Sequence, residues 1–380
     1  MLGDDEFAAW FRLLETPGLG RAGARRLLAA CGTPEGVLRA PAATLRQLIG
    51  PALSAALTQV LPTQTQRLAQ AQRWRQGGPD RHVLVLGDAH YPAQLLHTAD
   101  PPLLLYAQGR LDALAARSLA IVGSRHPSAQ GTENAFAFAA HFSQHGWVVV
   151  SGLAQGIDGA AHEGALHGAL HRVPHGESTG AAATVAVLGT GVDLIYPRAH
   201  QVLAERIATH GVLVSEFSPG TPALAAHFPM RNRIIAGLTQ GTLVVEAALR
   251  SGSLITARMA LEAGREVFAV PGSIHAPQSK GCHSLIKQGA KLVECAQDVI
   301  DELGGSRPLP LPVPLHMQPD DSAETDPLMA ALGHDPTTLD ALQARTGMST
   351  GLLNARLLEL EFAGRLSRLP GGLFQRCGQA

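Results

Sequence analysis

Short apolar runs and helical stripes alternate along the middle of this chain, and the alternation predicts its architecture. Seven runs read as buried strands, at residues 119–123, 147–151, 184–188, 211–215, 242–246, 266–270 and 291–293. They are apolar on both faces and are followed by Gly or Ser, as expected of strands covered by helices on each side. Between the first two, Ala135, Phe138, Ala139 and Phe142 fall at helical spacing on one face. Repeated strand-then-helix units predict an α/β fold with a doubly wound, mostly parallel sheet. Two earlier runs, 83–86 and 103–106, are candidate edge strands. The stretch 171–183, with Pro, Gly, Ser and three alanines, reads as a mobile surface loop.

The pattern changes on either side. Residues 1–78 are rich in Leu, Ala, Arg and Gln at helical spacing, and 79–303 hold the strand-and-helix repeat. The proline-rich stretch 304–326 reads as a linker, and 327–380 return to helical spacing. Near the N-terminus two helices flank Pro17-Gly18-Leu19-Gly20, with a weaker hairpin at Gly50-Pro51. This resembles helix-hairpin-helix or SAM-like modules, whose hairpin amides can hold a backbone phosphate; plain helix packing explains it equally well. At the C-terminus two helices, 338–346 and 349–362, precede two short strands around a Pro-Gly-Gly turn, the pattern of a winged helix. Its last helix sets Arg356 against Glu359 and Glu361. That balance points away from duplex recognition and towards a protein-contacting or regulatory role.

Composition narrows the function classes. Charged residues make up 16% of the 380 and the formal net charge is −1. A protein that coats duplex DNA non-specifically is more basic, so any nucleic-acid site here is a local patch. No apolar run approaches the ~20 residues that span a bilayer. The acidic start, Met-Leu-Gly-Asp-Asp-Glu, is unlike a secretory or transit peptide. Cys31, Cys282, Cys295 and Cys377 show no Cys-x-x-Cys spacing, which fits a reduced, cytoplasmic protein. His162, His167, His171 and His175 lack a convergent carboxylate or cysteine, so neither a metal nor a cofactor is expected.

The candidate chemistry gathers at the strand ends, where a doubly wound sheet binds its ligands. Residues 228–238, Phe-Pro-Met-Arg-Asn-Arg-Ile-Ile-Ala-Gly-Leu, place an aromatic ring beside Arg231, Asn232 and Arg233. A ring can stack on a base, and guanidinium groups are two-pronged donors to phosphate. The turn Gly123-Ser124-Arg125-His126-Pro127-Ser128 supplies a glycine, two hydroxyls and a cation, and it is not the dinucleotide fingerprint. Asp158 and His162, four apart, share one helical face; a loop-orienting carboxylate and a packed histidine explain them better than an acid–base pair. Further small-residue turns follow at Gly189–Asp193, Tyr196-Pro197, Ser215-Glu216, Ser251–Ser253 and Pro271–Ser273, with Lys280 near the last.

In order and spacing these motifs resemble the DprA/Smf DNA-processing proteins over residues 82–303. The resemblance rests on Gly123-Ser-Arg-x-x-Ser128, Ser151-Gly-Leu-Ala-x-Gly-Ile-Asp158, Leu188-Gly-Thr-Gly-x-Asp193, His227-Phe-Pro-x-Arg-Asn-Arg233 and Ser251-Gly-Ser-Leu-Ile-Thr-Ala257. It implies an extended Rossmann-type domain that binds single-stranded DNA, dimerises, and helps load a RecA-type recombinase in natural transformation. Arg125 and Phe228 match DNA-contacting positions of the family, and Arg231, Asn232 and Arg233 frame the same pocket. Gly123, Ser124, Ser128 and Lys280 complete the expected DNA-binding set. Two departures stand out. Residues 221–227 contain no lysine, leaving Lys280 or Arg258 to compensate, and Gly281-Cys282-His283 stands where Gly-Thr-Asn is usual. Three or four cations would give a salt slope of about −2 to −3, at ~0.7 per phosphate. A rival reading is an enzyme that cleaves nucleoside monophosphates, through Gly241-Thr242 and Glu246 or Asp158. A nucleotide sensor without turnover is a third.

Overall fold

The structure, a computed structural model, describes residues 2–171, 182–304, 326–332, 336–369 and 371–376. Most of the loop expected at 171–183 and of the linker expected at 304–326 lies outside them.

Nine strands form one sheet: β1 Arg81–Val85, β2 Leu104–Gly109, β3 Ser118–Val122, β4 Val148–Ser151, β5 Thr184–Val187, β6 Val212–Ser215, β7 Gly241–Val244, β8 Glu266–Ala269 and β9 Lys291–Leu292. Their order is β1-β2-β6-β5-β4-β3-β7-β8-β9. From β6 to β9 all pairings are parallel, and β1 and β2 extend the β6 side with antiparallel pairings. The two early runs are thus strands, but only β1 is an edge; β2 lies between β1 and β6. The chain winds from β3 through β6 in one direction, then returns to place β7 on the other side of β3. Between β3 and β7 the connections therefore diverge, opening a crevice beyond the strand ends.

Alternate strand residues feed two faces. Val122, Val150, Val187 and Val214 pack with Ile234, Ile235 and Leu238 of helix His227–Leu238, and with Ala257, Ala260 and Leu285. Leu119, Ile121, Val149, Leu243 and Phe268 pack with Phe138 and Phe142 of helix Ala129–Gln144 and with Ile157, Ala161 and Ala165 of helix Ile157–Leu170. Burial on both faces explains why these strands lack polar alternation.

Five helices, Asp4–Leu14, Arg21–Cys31, Pro34–Arg39, Ala42–Thr58 and Pro62–Gln76, precede the sheet. They share a core with it: Phe7, Leu13, Leu27 and Trp74 pack with Val83, Leu104 and Tyr106. The Tyr106 ring meets Trp74 edge-on at 5.7 Å and Phe7 at 6.4 Å. At the other end of the chain, helices Pro327–Leu332, Leu339–Thr346 and Thr350–Phe362 accompany β10 Thr337–Thr338, β11 Leu366–Leu369 and β12 Leu373–Arg376. These strands pair in the order β10-β12-β11 around Leu342, Leu353, Leu357 and Phe374, giving a winged helix. Among the described residues no helix is long and apolar enough to cross a membrane.

Candidate nucleic-acid cleft

The crevice at the β3–β7 divergence is an open cleft of about 820 Å³. Its walls come from the turn after β3 (Gly123, Ser124, Arg125), the first turns of helix His227–Leu238 (Phe228, Asn232), and the loop after β7 (Arg250 to Ser253). Arg125 is exposed, and its guanidinium carbon lies 5.8 Å from the centre of the Phe228 ring. Phe228 packs over Gly189 on one side and meets the Tyr196 ring at 5.5 Å, tilted by 46°. Tyr196 is 52% exposed. The cleft thus offers an exposed Tyr196 ring against a half-buried Phe228 ring, with a cation over the latter. Ser124 Oγ accepts from the His126 backbone N–H at 3.1 Å, and its carbonyl accepts from Ile157 N at 3.1 Å, which clasps the β3 turn to the β4 turn.

The remaining expected contacts are placed differently. Arg231 is buried: its Nη1 donates to Gly152 O at 2.5 Å and to Val187 O, and its Nε donates to Asn232 Oδ1 at 3.0 Å. Asp158 Oδ2 lies 3.9 Å from Arg231 Nη2 and accepts from the backbone N–H groups of Gly152 and Ala154. Burial pushes the Asp158 carboxyl up, against the opposing pull of Arg231 and those amides. Burial likewise brings the Arg231 guanidinium down to about 10, still cationic at neutral pH. A side chain at Gly152 would overlap this guanidinium, so only glycine lets the arginine reach both strand ends. Arg231 is committed to the frame of the cleft, and Asn232 joins it through Arg231 and Gly252 O.

Arg233 points away from the cleft, donating to Glu216 Oε2 and Asp100 O. Arg21 and Arg25 pair with the same Asp100, tying the N-terminal helices to the sheet. Lys280 is exposed, donates to Ile274 O, and does not line the cleft; nor does Arg258. A second exposed cation lining the cleft is Arg250, without an acidic partner among the described residues. The sequence marks Tyr196 only as part of the Tyr196-Pro197 turn, and it does not mark Arg250, which adjoins the turn at Ser251–Ser253. Cys282 is buried beneath the end of β7, where burial raises its thiol to about 12, and His283 Nε2 lies 2.9 Å from Gly272 O. The unusual loop is therefore still hydrogen-bonded.

Ser128 caps helix Ala129–Gln144 by accepting from Gly131 N at 2.9 Å. It also donates to Glu246: its hydroxyl to Oε1, and its backbone N–H to Oε2 at 3.0 Å. The Glu246 carboxylate lies against Gly131, where a Cβ would overlap it. A carboxylate therefore occupies the helix start where doubly wound folds often seat a phosphate. His162, buried, pairs its Nδ1 with Thr184 Oγ1 at 2.8 Å, and burial pushes it down to about 3. Asp158 and His162 have separate partners and form no acid–base pair. Among the described residues no cluster of His, Cys, Asp and Glu is arranged to hold a metal. In the winged helix, Arg356 is paired with Glu359 at 3.0 Å.

Comparison with known proteins adds to this geometry. Residues 82–304 match the family described as DNA recombination-mediator protein A, and residues 313–372 match the DprA winged helix domain. Protein Smf of Escherichia coli is 44% identical over 300 residues, covering 77% of each chain. The structure of DNA processing protein A from Streptococcus pneumoniae superposes with a TM-score of 0.66 at 36% identity, covering 78% of this chain and 97% of that one. DNA processing protein A from Helicobacter pylori, studied structurally for its single-stranded DNA binding mode, superposes with a TM-score of 0.50 at 28% identity. That match covers 58% of this chain and 95% of the other.

Proposed function

Because the chain belongs to the DNA recombination-mediator protein A family, we propose that it binds single-stranded DNA in the cleft at the β3–β7 divergence. We propose further that it acts without catalysis, protecting incoming DNA and loading a RecA-type recombinase. A homodimer formed through the sheet domain and a cytoplasmic location belong to the same proposal.

The observation that carries the reading is the exposed Arg125 guanidinium over the half-buried Phe228 ring at the cleft. A base stacks on Phe228 with Tyr196 at its edge, while Arg125 and Arg250 hold phosphates from the two rims. Gly123 and Ser124 bring backbone close to the strand. Ser128, Arg231 and Asn232 hold the walls, and Arg233 braces the same helix from outside. Stacking suits a strand of any sequence, since every base has a π face, and is worth roughly 1–3 kcal/mol per base. A near-neutral protein can bind this way because two phosphate contacts and a stack need no basic surface.

The nucleotide-cleaving alternative is weaker on this geometry. Glu246 accepts two hydrogen bonds from Ser128, and Asp158 accepts two from backbone while facing Arg231. Both carboxylates are engaged in structure, and Glu246 repels a terminal phosphate from the helix start. Anisotropy titration with oligothymidine, a mononucleotide competitor and chromatography of the products tests the reading. Tight oligonucleotide binding, weak competition and no released base are expected. Nucleobase release, or equal affinity for the mononucleotide, would contradict it.

A further inference from the structure

A cavity of about 1380 Å³ lies between the N-terminal helices and the loop that follows β6. It borders the cleft across a single wall. Ala223, Ala225, Phe228 and Pro229 face the cleft, whereas Pro222, Leu224, His227 and Met230 face the cavity. We infer that this groove is a second binding segment for single-stranded nucleic acid, receiving the backbone and bases of the strand as it leaves the cleft over residues 222–230. The inference rests on the cleft reading above and extends it to a longer strand.

Charge, stacking surface and continuity support it. Most charges of the groove are already matched: Arg67 pairs with Glu15, and Arg21 pairs with Asp100 and Glu216. Two lining arginines are left over. Arg46 is exposed with no partner among the described residues, and Arg26 is exposed and meets only the Leu48 carbonyl, at 3.1 Å. Both line the groove from helices Arg21–Cys31 and Ala42–Thr58, far from residues 222–230 in the chain, and are available to phosphates of a strand that enters it. The floor is a stacked pair, Phe217 on His227, with centroids 3.9 Å apart and planes at 16°. Beside it Leu224 and Met230 are 49% and 37% exposed. Apolar side chains left open next to unmatched cations suit unpaired bases followed by phosphates.

The test uses the full chain and two oligothymidines, one of about 6 nucleotides, filling the cleft alone, and one of about 20, longer than a typical single site. Arg46→Glu, and separately the pair Arg26→Ala with Arg46→Ala, should weaken the long oligonucleotide several-fold. The double variant should reduce its log–log salt slope by about 1.4, at ~0.7 per phosphate contact. The short oligonucleotide should bind as before, which also shows that the variants are folded. An unchanged affinity and slope for the long strand would overturn the groove. Equal losses on both lengths would overturn it too, since the arginines would then act on the cleft. Arg125→Ala should instead weaken both lengths. If only Arg125→Ala is silent, the cleft reading fails while the groove stands.

Discussion

Replacing Arg231 with alanine separates a framing role from a strand-contacting one. The guanidinium is buried, bonded to the carbonyls that end β4 and β5, and lies 3.9 Å from the buried Asp158. Its removal takes from Asp158 the cation that opposes its burial, leaving the Gly152 and Ala154 amides and the Ser151 side chain, and strips two carbonyls of a charged donor. Breaking a buried pair from one side costs about 3–5 kcal/mol. For a unit the size of the sheet domain, 1 kcal/mol shifts Tm by about 2–4 °C, so a fall of roughly 6–20 °C is expected. Differential scanning calorimetry of the full chain reads this directly. Arg231→Met combined with Asp158→Asn removes both charges together and should recover much of the loss. Arg125→Ala, at an exposed site, should leave Tm within about 2 °C, as surface substitutions cost ~0.5 kcal/mol or less. If Arg231→Ala kept its Tm but lost DNA affinity, the framing role would be refuted and the arginine would belong to the strand.

Other substitutions probe single contacts. Phe228→Ala should weaken oligothymidine binding by roughly 1–3 kcal/mol, about 5- to 150-fold, with the salt slope unchanged, as seen in anisotropy titrations across ionic strength. Ser128→Ala should lower stability by about 0.5–2 kcal/mol through the lost helix cap, measured by chemical denaturation, and leave DNA affinity near wild type. His162 is held neutral by burial, down to about 3, so the unfolded chain binds a proton that the folded chain refuses between its ordinary 6.5 and that value. This group's contribution is therefore intact above pH 6.5 and lost as pH falls towards 3. Tm measured from pH 7 to pH 4.5 should decline less steeply in His162→Asn than in wild type, and parallel curves would contradict the assignment.

The sheet was legible because buried parallel strands are short apolar runs wherever they occur, and most of these run into a small residue. Phe228 and Arg125 stood out for a related reason, a ring and a cation beside glycine turns, and the fold brings the two together in one cleft. Arg231 and Arg233 were misleading in isolation. Their partners, Val187 and Gly152 for one, Glu216 and Asp100 for the other, come from distant parts of the chain, so only the fold shows that their charges are spent. Glu246 is similar: its place over a helix start depends on β7 returning beside β3. Tyr196 shows in the sequence only as part of the Tyr196-Pro197 turn, and Arg250 only as a neighbour of Ser251–Ser253. The fold alone brings one to Phe228 and the other to the lining of the cleft. The N-terminal helices read as a separate unit because their stripes are self-consistent, yet Trp74 and Phe7 find their partner in Tyr106 of β2.

The most direct test of the central claim is the salt dependence of short-oligothymidine binding in wild type, Arg125→Ala and Arg125→Ala/Arg250→Ala. Two unmatched arginines lining the cleft predict a wild-type slope of about −1.4 per chain, at ~0.7 per phosphate. The single variant should lose about half of it and the double nearly all, with Tm unchanged in both. Identical slopes in all three proteins would place the strand elsewhere and contradict the cleft.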